Sequence, residues 1–184
     1  MAAVQIKAGS SLDKFVRGVR ESVEQSSTMS ELLRQVSARM HEALEDPELL
    51  ASAKMGVVYR DPDYLFQVNA QEHEPGYHTP VHDHGECWAV YGVYEGRMRM
   101  TRYERQDDGS DGDFAEIRGT GQFVVEAGST DVIAPWGIHE VENHTDRPTR
   151  SFVIRSRALN EVWRNRFDVE KKRAERIRST RAAG

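Results

Sequence analysis

Two histidines separated by one residue end the stretch Gly76-Tyr-His-Thr-Pro-Val-His82-Asp-His84. On an extended segment both imidazoles project from the same face, about 6 to 7 Å apart along the backbone. The two imidazoles are therefore candidate ligands of one metal ion. A third imidazole, His139, comes later in Gly128-Ser-Thr-Asp-Val-Ile-Ala-Pro-Trp-Gly-Ile-His139, where a Pro/Gly turn leads into the start of another predicted strand.

Composition restricts the class of protein. The chain has 184 residues, 38% of them hydrophobic, which is enough for one core. Its 25 basic and 30 acidic residues leave a formal charge of −5, so we expect neither nucleic acid nor a membrane surface as a partner. No window approaches about 18 consecutive apolar residues. Because the first residues lack the apolar centre of a signal peptide and Cys87 is the single cysteine, we predict a cytoplasmic protein.

Residues 1–54 are predicted to form a helical segment that packs on the rest of the chain. From Leu12 to Ala53, apolar residues recur at helical spacing, which indicates two or three amphipathic helices. Ser30 is the expected N-cap of the second helix, whose pattern ends at Asp46-Pro47.

Residues 55–158 consist of short β-branched and aromatic runs separated by turn residues. About eight short strands at this spacing are typical of a β-sandwich or barrel and do not fit alternating βαβ units. Turns are expected at Asp61-Pro62-Asp63, Glu95-Gly96 and Gly119-Thr120-Gly121. The predicted strands cover residues 57–60, 65–71, 88–94, 97–104, 115–118, 123–126, 131–134 and 150–157.

Residues 159–184 are predicted to form a charged C-terminal helix. Between Asn160 and Arg181, eight basic and four acidic residues give a local charge of +4. We expect a solvated helix whose residues Val162, Trp163 and Phe167 dock on the barrel. A surface for an anion or a partner is the alternative.

The two histidine blocks resemble the two motifs of the cupin superfamily. In the first block, five residues separate Gly76 from His82, and Gly96 follows His84 by twelve residues. In the second block, a glycine, an apolar strand, Pro-x-Gly, His139 and an asparagine follow in the cupin order, with two spacings that differ by one residue. The resemblance covers about residues 57–157. It implies a mainly β fold, a double-stranded β-helix with N-terminal helices and a C-terminal helix, in which these three histidines bind a metal.

One departure from the general cupin pattern narrows the resemblance. Most cupins have a glutamate ligand seven residues before the closing glycine, where this chain has Ala89. A three-histidine site resembles that of the thiol dioxygenases, the cysteine dioxygenase and 3-mercaptopropionate dioxygenase group, as do the local sequences Pro80-Val-His-Asp-His84 and Ala89-Val-Tyr-Gly-Val-Tyr-Glu-Gly96. The resemblance implies Fe(II) with open positions for an anionic substrate and O2. Glu86, in register with the first two histidines on an unbroken strand, is the alternative fourth ligand.

A second departure concerns the residues around the metal. In that family a Ser-x-His-x-Tyr run on a late strand supports iron and substrate, and it corresponds here to Ser151-Phe-Val153-Ile-Arg155. Ser151 matches, whereas Val153 and Arg155 replace the histidine and the tyrosine. Cys87 stands two residues before the crosslinking position, so we expect no Cys-Tyr crosslink.

Arg155 is the candidate that binds a substrate carboxylate. If its strand face looks into the barrel, the planar guanidinium suits a carboxylate. An internal ion pair with Glu140 or Glu142 is the alternative. The family's own carboxylate-binding arginine lies on an early strand and is missing here, so Arg60 or Lys54 would have to take its role.

Aromatic residues complete the predicted substrate pocket. Tyr91 and Tyr94 fall on opposite strand faces, so at most one of them faces the pocket, and we select Tyr91. Trp88 and Trp136 are candidate walls. Two further histidines could line the pocket mouth, with surface positions as the alternative: His73 and His78.

The resemblance leads to the expected function. We expect an O2-dependent, Fe(II)-containing thiol dioxygenase that oxidises a small thiol-containing carboxylic acid to a sulfinate and acts as a monomer or homodimer. One alternative is an iron-dependent oxygenase of another small molecule. The other is a non-oxidative metal-binding cupin that acts as an isomerase, a lyase or a ligand sensor.

Overall fold

The computed structural model describes residues 6–178, and its first part is helical. Helices α1 (Ser11–Gln25), α2 (Met29–Leu44) and α3 (Pro47–Ser52) begin after the N-caps Ser10, Thr28 and Asp46. The predicted helices are confirmed. The N-cap of α2 is Thr28 and not Ser30, because the Thr28 hydroxyl accepts a hydrogen bond from the Glu31 N–H. No helix in the described residues is long and apolar enough to cross a membrane.

Two antiparallel sheets form the barrel. The larger has the order β1-β2-β8-β3-β6, and the smaller has the order β5-β4-β7. They face each other as the predicted double-stranded β-helix. The strands are β1 (Gly56–Arg60), β2 (Gln67–His73), β3 (Ala89–Glu95), β4 (Arg97–Arg105), β5 (Ile117–Glu126), β6 (Thr130–Ile133), β7 (Ile138–Glu142), β8 (Thr149–Arg155), β9 (Arg164–Asp168) and β10 (Arg173–Ile177).

The five-stranded sheet separates two hydrophobic cores. Phe152 and Ile154 of β8 pack in the core between this sheet and the helices. Val153 of the same strand packs in the barrel interior, together with Tyr91 of β3. Since side chains alternate along a strand, Ser151 and Arg155 share the interior face with Val153. This places Arg155 on the face that the sequence predicted.

The predicted C-terminal helix is wrong, because residues 164–177 form a β-hairpin of β9 and β10. Phe167 and Ala174 are paired across the hairpin, and both are buried against the barrel end. Lys172 has a φ of 50°, which suits a tight turn and breaks a helix. The predicted helix residues 179–181 lie outside the described part of the chain.

Two predicted strands are joined in β5. The glycines predicted to form a turn, Gly119 and Gly121, stay within the strand. Arg102 of β4 pairs with Gly121 and Tyr103 pairs with Gly119, so Thr120 is an extra residue in the ladder. Residues without side chains tolerate such a β-bulge, which explains why the Gly-Thr-Gly stretch bends the strand without ending it.

Candidate metal centre

The segment that carries His82 and His84 is held on both sides by backbone hydrogen bonds. The His82 N–H donates to the His139 carbonyl and the His139 N–H donates to the His82 carbonyl, each at 2.9 Å. On the other side, two further backbone hydrogen bonds of 2.9 and 3.1 Å join the segment to β9. Both histidines therefore take their backbone positions from β7 and from the C-terminal hairpin.

Asp83, which lies between these histidines, anchors the hairpin. Its carboxylate accepts hydrogen bonds from the Asn165 backbone N–H (2.9 Å), from Asn165 Nδ2 (2.7 Å) and from the Gly85 N–H (2.9 Å). Asp83 is only 2% exposed. Its oxygens are therefore occupied by N–H donors and position the chain around the two histidines.

His82, His84 and His139 form one cluster inside the barrel. One ring nitrogen of each lies within 4.8 Å of the others. The ring centroids are 5.1 Å apart for His82 and His84, 4.5 Å for His82 and His139, and 4.8 Å for His84 and His139. All three side chains are buried. Three nitrogens this close to one another can coordinate one divalent cation.

Backbone carbonyls orient two of the three rings. Nδ1 of His82 lies 2.8 Å from the Pro80 carbonyl oxygen, and Nδ1 of His139 lies 3.2 Å from that of Gly137. Because a carbonyl oxygen can only accept, each Nδ1 donates its proton, and the lone pair of the neutral ring is on Nε2. This is the arrangement by which outer hydrogen bonds orient metal-binding histidines.

The protonation and the unpartnered atoms of the cluster fit a metal. Burial lowers the pKa of His82 to about 4, and it holds the pKa of His84 and of His139 well below the ordinary value. Both ring nitrogens of His84 and Nε2 of His139 lack a hydrogen-bond partner within the described residues. Neutral imidazoles suit iron, zinc, copper and nickel. A bound cation of this kind would satisfy these buried nitrogens.

Glu86 is not part of the cluster, so the alternative of a fourth ligand is wrong. Gly85 has a φ of 60° and starts a turn, which ends the extended segment before Glu86. The Glu86 side chain is exposed and lines a surface pocket with Trp136 and Trp163. Ala89, at the position of the usual cupin glutamate, is fully buried in the barrel interior.

Arg155 lies at the end of β8 and is 9% exposed. Its Nε lacks a hydrogen-bond partner among residues 6–178. The alternative ion pairs are absent, because Glu142 pairs with Arg99 (3.0 Å) and Glu140 accepts a hydrogen bond from Tyr103 (2.8 Å). After burial, the Arg155 charge contributes to the lowered pKa of all three clustered histidines. Arg155 is thus a buried cation near the cluster without a carboxylate partner in the described chain.

Arg164 is a second cation that the sequence interpretation missed, because it was assigned to a solvated helix. β9 pairs with the histidine segment through the bridge between His82 and Arg166. Continuing this antiparallel register sets Arg164 opposite His84, and directly paired residues project from the same face of a sheet. The side chain is half-buried, and its Nε has no partner within the described range. The stretch from 164 to 168 has a single apolar residue, Phe167, so its composition gave no clear signal for a strand.

Ser151 and Tyr91 both face the barrel interior. The Ser151 side chain is fully buried, and its Oγ has no partner in the part of the chain that the structure describes. Tyr91 is 3% exposed, and its ring stands edge-on to His139 at a centroid distance of 6.2 Å. The Arg155 guanidinium lies beside the Tyr91 hydroxyl, whose pKa is raised by burial. Tyr94 packs against Phe152 on the opposite face of the sheet.

Three predicted pocket residues lie elsewhere. Trp88 packs in the core between sheet and helices, because the residues of β3 that face the interior are the odd-numbered ones. Arg60 is exposed on β1 and pairs with Glu161 at the surface. Trp136 is 54% exposed. The prediction that Trp88 and Arg60 line the substrate pocket is therefore wrong, because neither lies around the histidine cluster.

The other histidines take different positions. His73 is buried on β2, and its Nε2 has no partner among the described residues. Burial lowers the pKa of His73 to about 4, with a smaller contribution from the Arg155 charge. His78 is exposed.

Cys87 is free and buried, and burial raises the pKa of its thiol.

Comparison with known proteins finds only distant structural similarity. No family model and no curated protein matches the chain. An oxalate oxidase solved in complex with glycolate is 22% identical over 50% of this chain and 42% of that chain, with a TM-score of 0.40. The Cnp3 cupin domain of Schizosaccharomyces pombe is 11% identical over 58% of this chain and 65% of that chain, with a TM-score of 0.45.

A Bacillus halodurans protein is 18% identical over 63% of this chain and 76% of its own, with a TM-score of 0.44. The present chain spans about two fifths of the oxalate oxidase that it matches. Identities this low concern the fold alone, and the activities of these proteins do not transfer. The order of the strands in the two sheets makes the barrel a double-stranded β-helix.

Proposed function

We propose that the protein is an O2-dependent, non-haem Fe(II) thiol dioxygenase that converts a small thiol-containing carboxylic acid to its sulfinate. The observation that carries this proposal is the combination of three buried, neutral imidazoles without a carboxylate and an unpaired buried arginine, Arg155. The residues match what this chemistry requires, which is a cationic, water-poor site for an anionic sulfur substrate.

The charge of the site favours a thiolate. Three neutral ligands leave the full +2 charge of a divalent cation uncompensated, whereas a glutamate ligand would reduce it. The nearby Arg155 adds to this positive potential. A thiol binding here is therefore stabilised as its thiolate.

His82, His84 and His139 would hold the ferrous iron, which would supply the binding of thiolate and the activation of O2. The net reaction is RS⁻ + O2 → RSO2⁻. Both oxygen atoms are incorporated, and no external reductant is needed.

The protein residues orient the substrate. The planar Arg155 guanidinium can bind the substrate carboxylate through two parallel hydrogen bonds and so hold the sulfur end at the histidine cluster. Tyr91, beside Arg155, adds a hydroxyl to this surface. The apolar interior side chains exclude water, which strengthens each of these polar contacts.

One observation favours the alternative, an iron-dependent oxygenase acting on another small molecule. Val153 is an apolar, fully buried residue at the position of the histidine that supports the metal site in the resembled family. In this alternative the same metal would oxidise another small molecule, one that carries an anionic group for Arg155. The third reading, a metal-binding cupin without redox activity, stays as an outcome of the experiment.

The experiment is metal analysis of protein purified without oxygen, followed by oxygen-electrode assays with a panel of small thiol acids. Iron near one equivalent with thiol-dependent O2 uptake and a sulfinate product is the expected result. Iron without uptake for any thiol would point to the oxygenase of another small molecule. Zinc, nickel or manganese with no O2 consumption would overturn both oxidative functions.

A further inference from the structure

The barrel holds two arginines beside the histidine cluster, and a single carboxylate needs only one. Arg155 reaches the cluster from β8, and Arg164 reaches it from β9, opposite His84. These strands belong to different sheets.

Both arginines lack an acidic partner within residues 6–178. Neither forms an ion pair there, and the Nε of each has no hydrogen-bond acceptor. Asp83 is the acidic residue nearest in sequence to the cluster, but three N–H donors already occupy its carboxylate. The other half-buried arginines of the described chain all have carboxylate partners, among them Arg102 with Asp131 (2.6 Å) and Arg99 with Glu142 (3.0 Å).

The two positive charges also act on each other. Burial, followed by the charges of Arg166 and Arg155, lowers the pKa of Arg164, and the Asp83 carboxylate opposes this shift only in part. Buried like charges that lack internal counterions are costly unless anions neutralise them. A divalent cation in the cluster would raise this positive charge further.

We infer that the substrate carries two acidic groups, one for Arg155 and one for Arg164, in addition to the group that reaches the histidine cluster. The substrate class is therefore a thiol dicarboxylic acid, not a thiol monocarboxylic acid. This inference deepens the proposed function and rests on it for the thiol. The inference that the substrate has two carboxylates rests only on the two arginines.

The test compares acids that differ by one carboxylate. Binding of succinate and propionate to the metal-loaded protein is measured by calorimetry without O2, and binding of mercaptosuccinate and 3-mercaptopropionate is measured in the same way. We expect each dicarboxylate to bind about tenfold or more tightly than its monocarboxylate, the size expected for one charged hydrogen-bonded contact.

Two variants separate the roles of the arginines. Arg164→Gln removes the preference for the dicarboxylate and leaves propionate binding within about twofold, whereas Arg155→Gln weakens all four acids. The control is Arg118→Gln, at an exposed arginine of β5, which keeps the preference. Circular dichroism confirms that each variant is folded.

Two results would overturn the inference: equal affinities for succinate and propionate, or an equal loss of both acids in Arg164→Gln, which would mean that both arginines share one carboxylate. The readout is binding, so it is independent of turnover. Dicarboxylate preference without thiol oxidation would contradict the proposed function alone, and thiol oxidation without this preference would contradict the inference alone.

Discussion

His82 and His139 exchange two backbone hydrogen bonds of 2.9 Å, and their imidazole rings stand 4.5 Å apart between centroids. The same contact that joins two distant segments of the chain thus sets the distance between two candidate ligands. A change at either histidine alters the ligand set while the backbone contact can persist.

Replacement of a clustered histidine is expected to abolish metal retention. His82→Ala removes one of three donors, so metal affinity should fall by more than the roughly 10- to 100-fold that loss of an outer hydrogen bond produces. The measurement is metal content after purification and dialysis. His78→Ala, at an exposed histidine in the same segment, is the control. Full metal content in His82→Ala would remove His82 from the ligand set.

Gly85 is expected to be essential for docking the C-terminal hairpin. A Cβ at this position would overlap the carbonyl oxygen of Trp163, and the φ of 60° adds strain for any other residue. Gly76 has a similar φ of 77° but open space around it. Gly76→Ala therefore measures the backbone strain, about 1 kcal/mol, and Gly85→Ala measures strain plus overlap.

Urea denaturation of both glycine variants supplies the comparison. We expect Gly85→Ala to lower the free energy of unfolding by about 2 kcal/mol or more beyond Gly76→Ala, as overpacking commonly does. Metal affinity should fall as well in Gly85→Ala, since β9 positions the histidine segment. Equal stabilities of the two variants would show that the hairpin does not pack closely against Gly85.

Arg155 is expected to control the affinity for acidic substrates. Arg155→Gln should raise KM for a thiol acid about tenfold or more, because a charged hydrogen bond to the carboxylate is lost. Metal content should stay unchanged. Arg60→Gln, which alters an exposed ion pair with Glu161, serves as the control. A KM that does not change in Arg155→Gln would exclude this residue from the substrate site.

His73 is expected to make the protein less stable in acid. Its pKa is lowered by burial to about 4, whereas an unfolded chain has a histidine pKa near 6.5. Between these values the unfolded state binds more protons, so the free energy of unfolding decreases as pH falls from about 6.5 to 4. The full effect of one such group is about 3 kcal/mol.

Replacing His73 by glutamine should remove this contribution. The pH dependence of the free energy of unfolding between pH 6.5 and 4, from urea denaturation, is expected to be shallower in His73→Gln than in the parent protein. His41→Gln, at an exposed histidine of α2, is the control. Identical slopes in all three proteins would show that His73 titrates normally in the folded state.

The barrel and the histidine cluster could be predicted from the sequence because both depend on the spacing of residues along the chain. Alternation of apolar residues predicted most strands, and His82 and His84 are two residues apart on an extended segment. The same alternation placed Ser151, Val153 and Arg155 on one face, and the structure turns that face inward. Such features follow from neighbours along the chain and need no knowledge of distant contacts.

The predictions for Glu86, Trp88 and the C-terminal segment failed for tertiary reasons. Gly85, which has a positive φ, turns the chain before Glu86. Trp88 packs against the helices and not in the barrel interior. The charged residues after 160 have the composition of a helix, but pairing with the histidine segment makes them a hairpin. Local propensity is a weak preference that such contacts override.

The sequence by itself determined the barrel, the three histidines and the absence of a glutamate at residue 89, since each is a matter of residue type and period. Only the tertiary structure decided which positively charged side chains lie near the histidines. Arg155 and Arg164 come from strands of different sheets, and their approach depends on strand pairing between distant segments. Charge at a site is a sum over groups that folding brings together, so no local pattern reveals it.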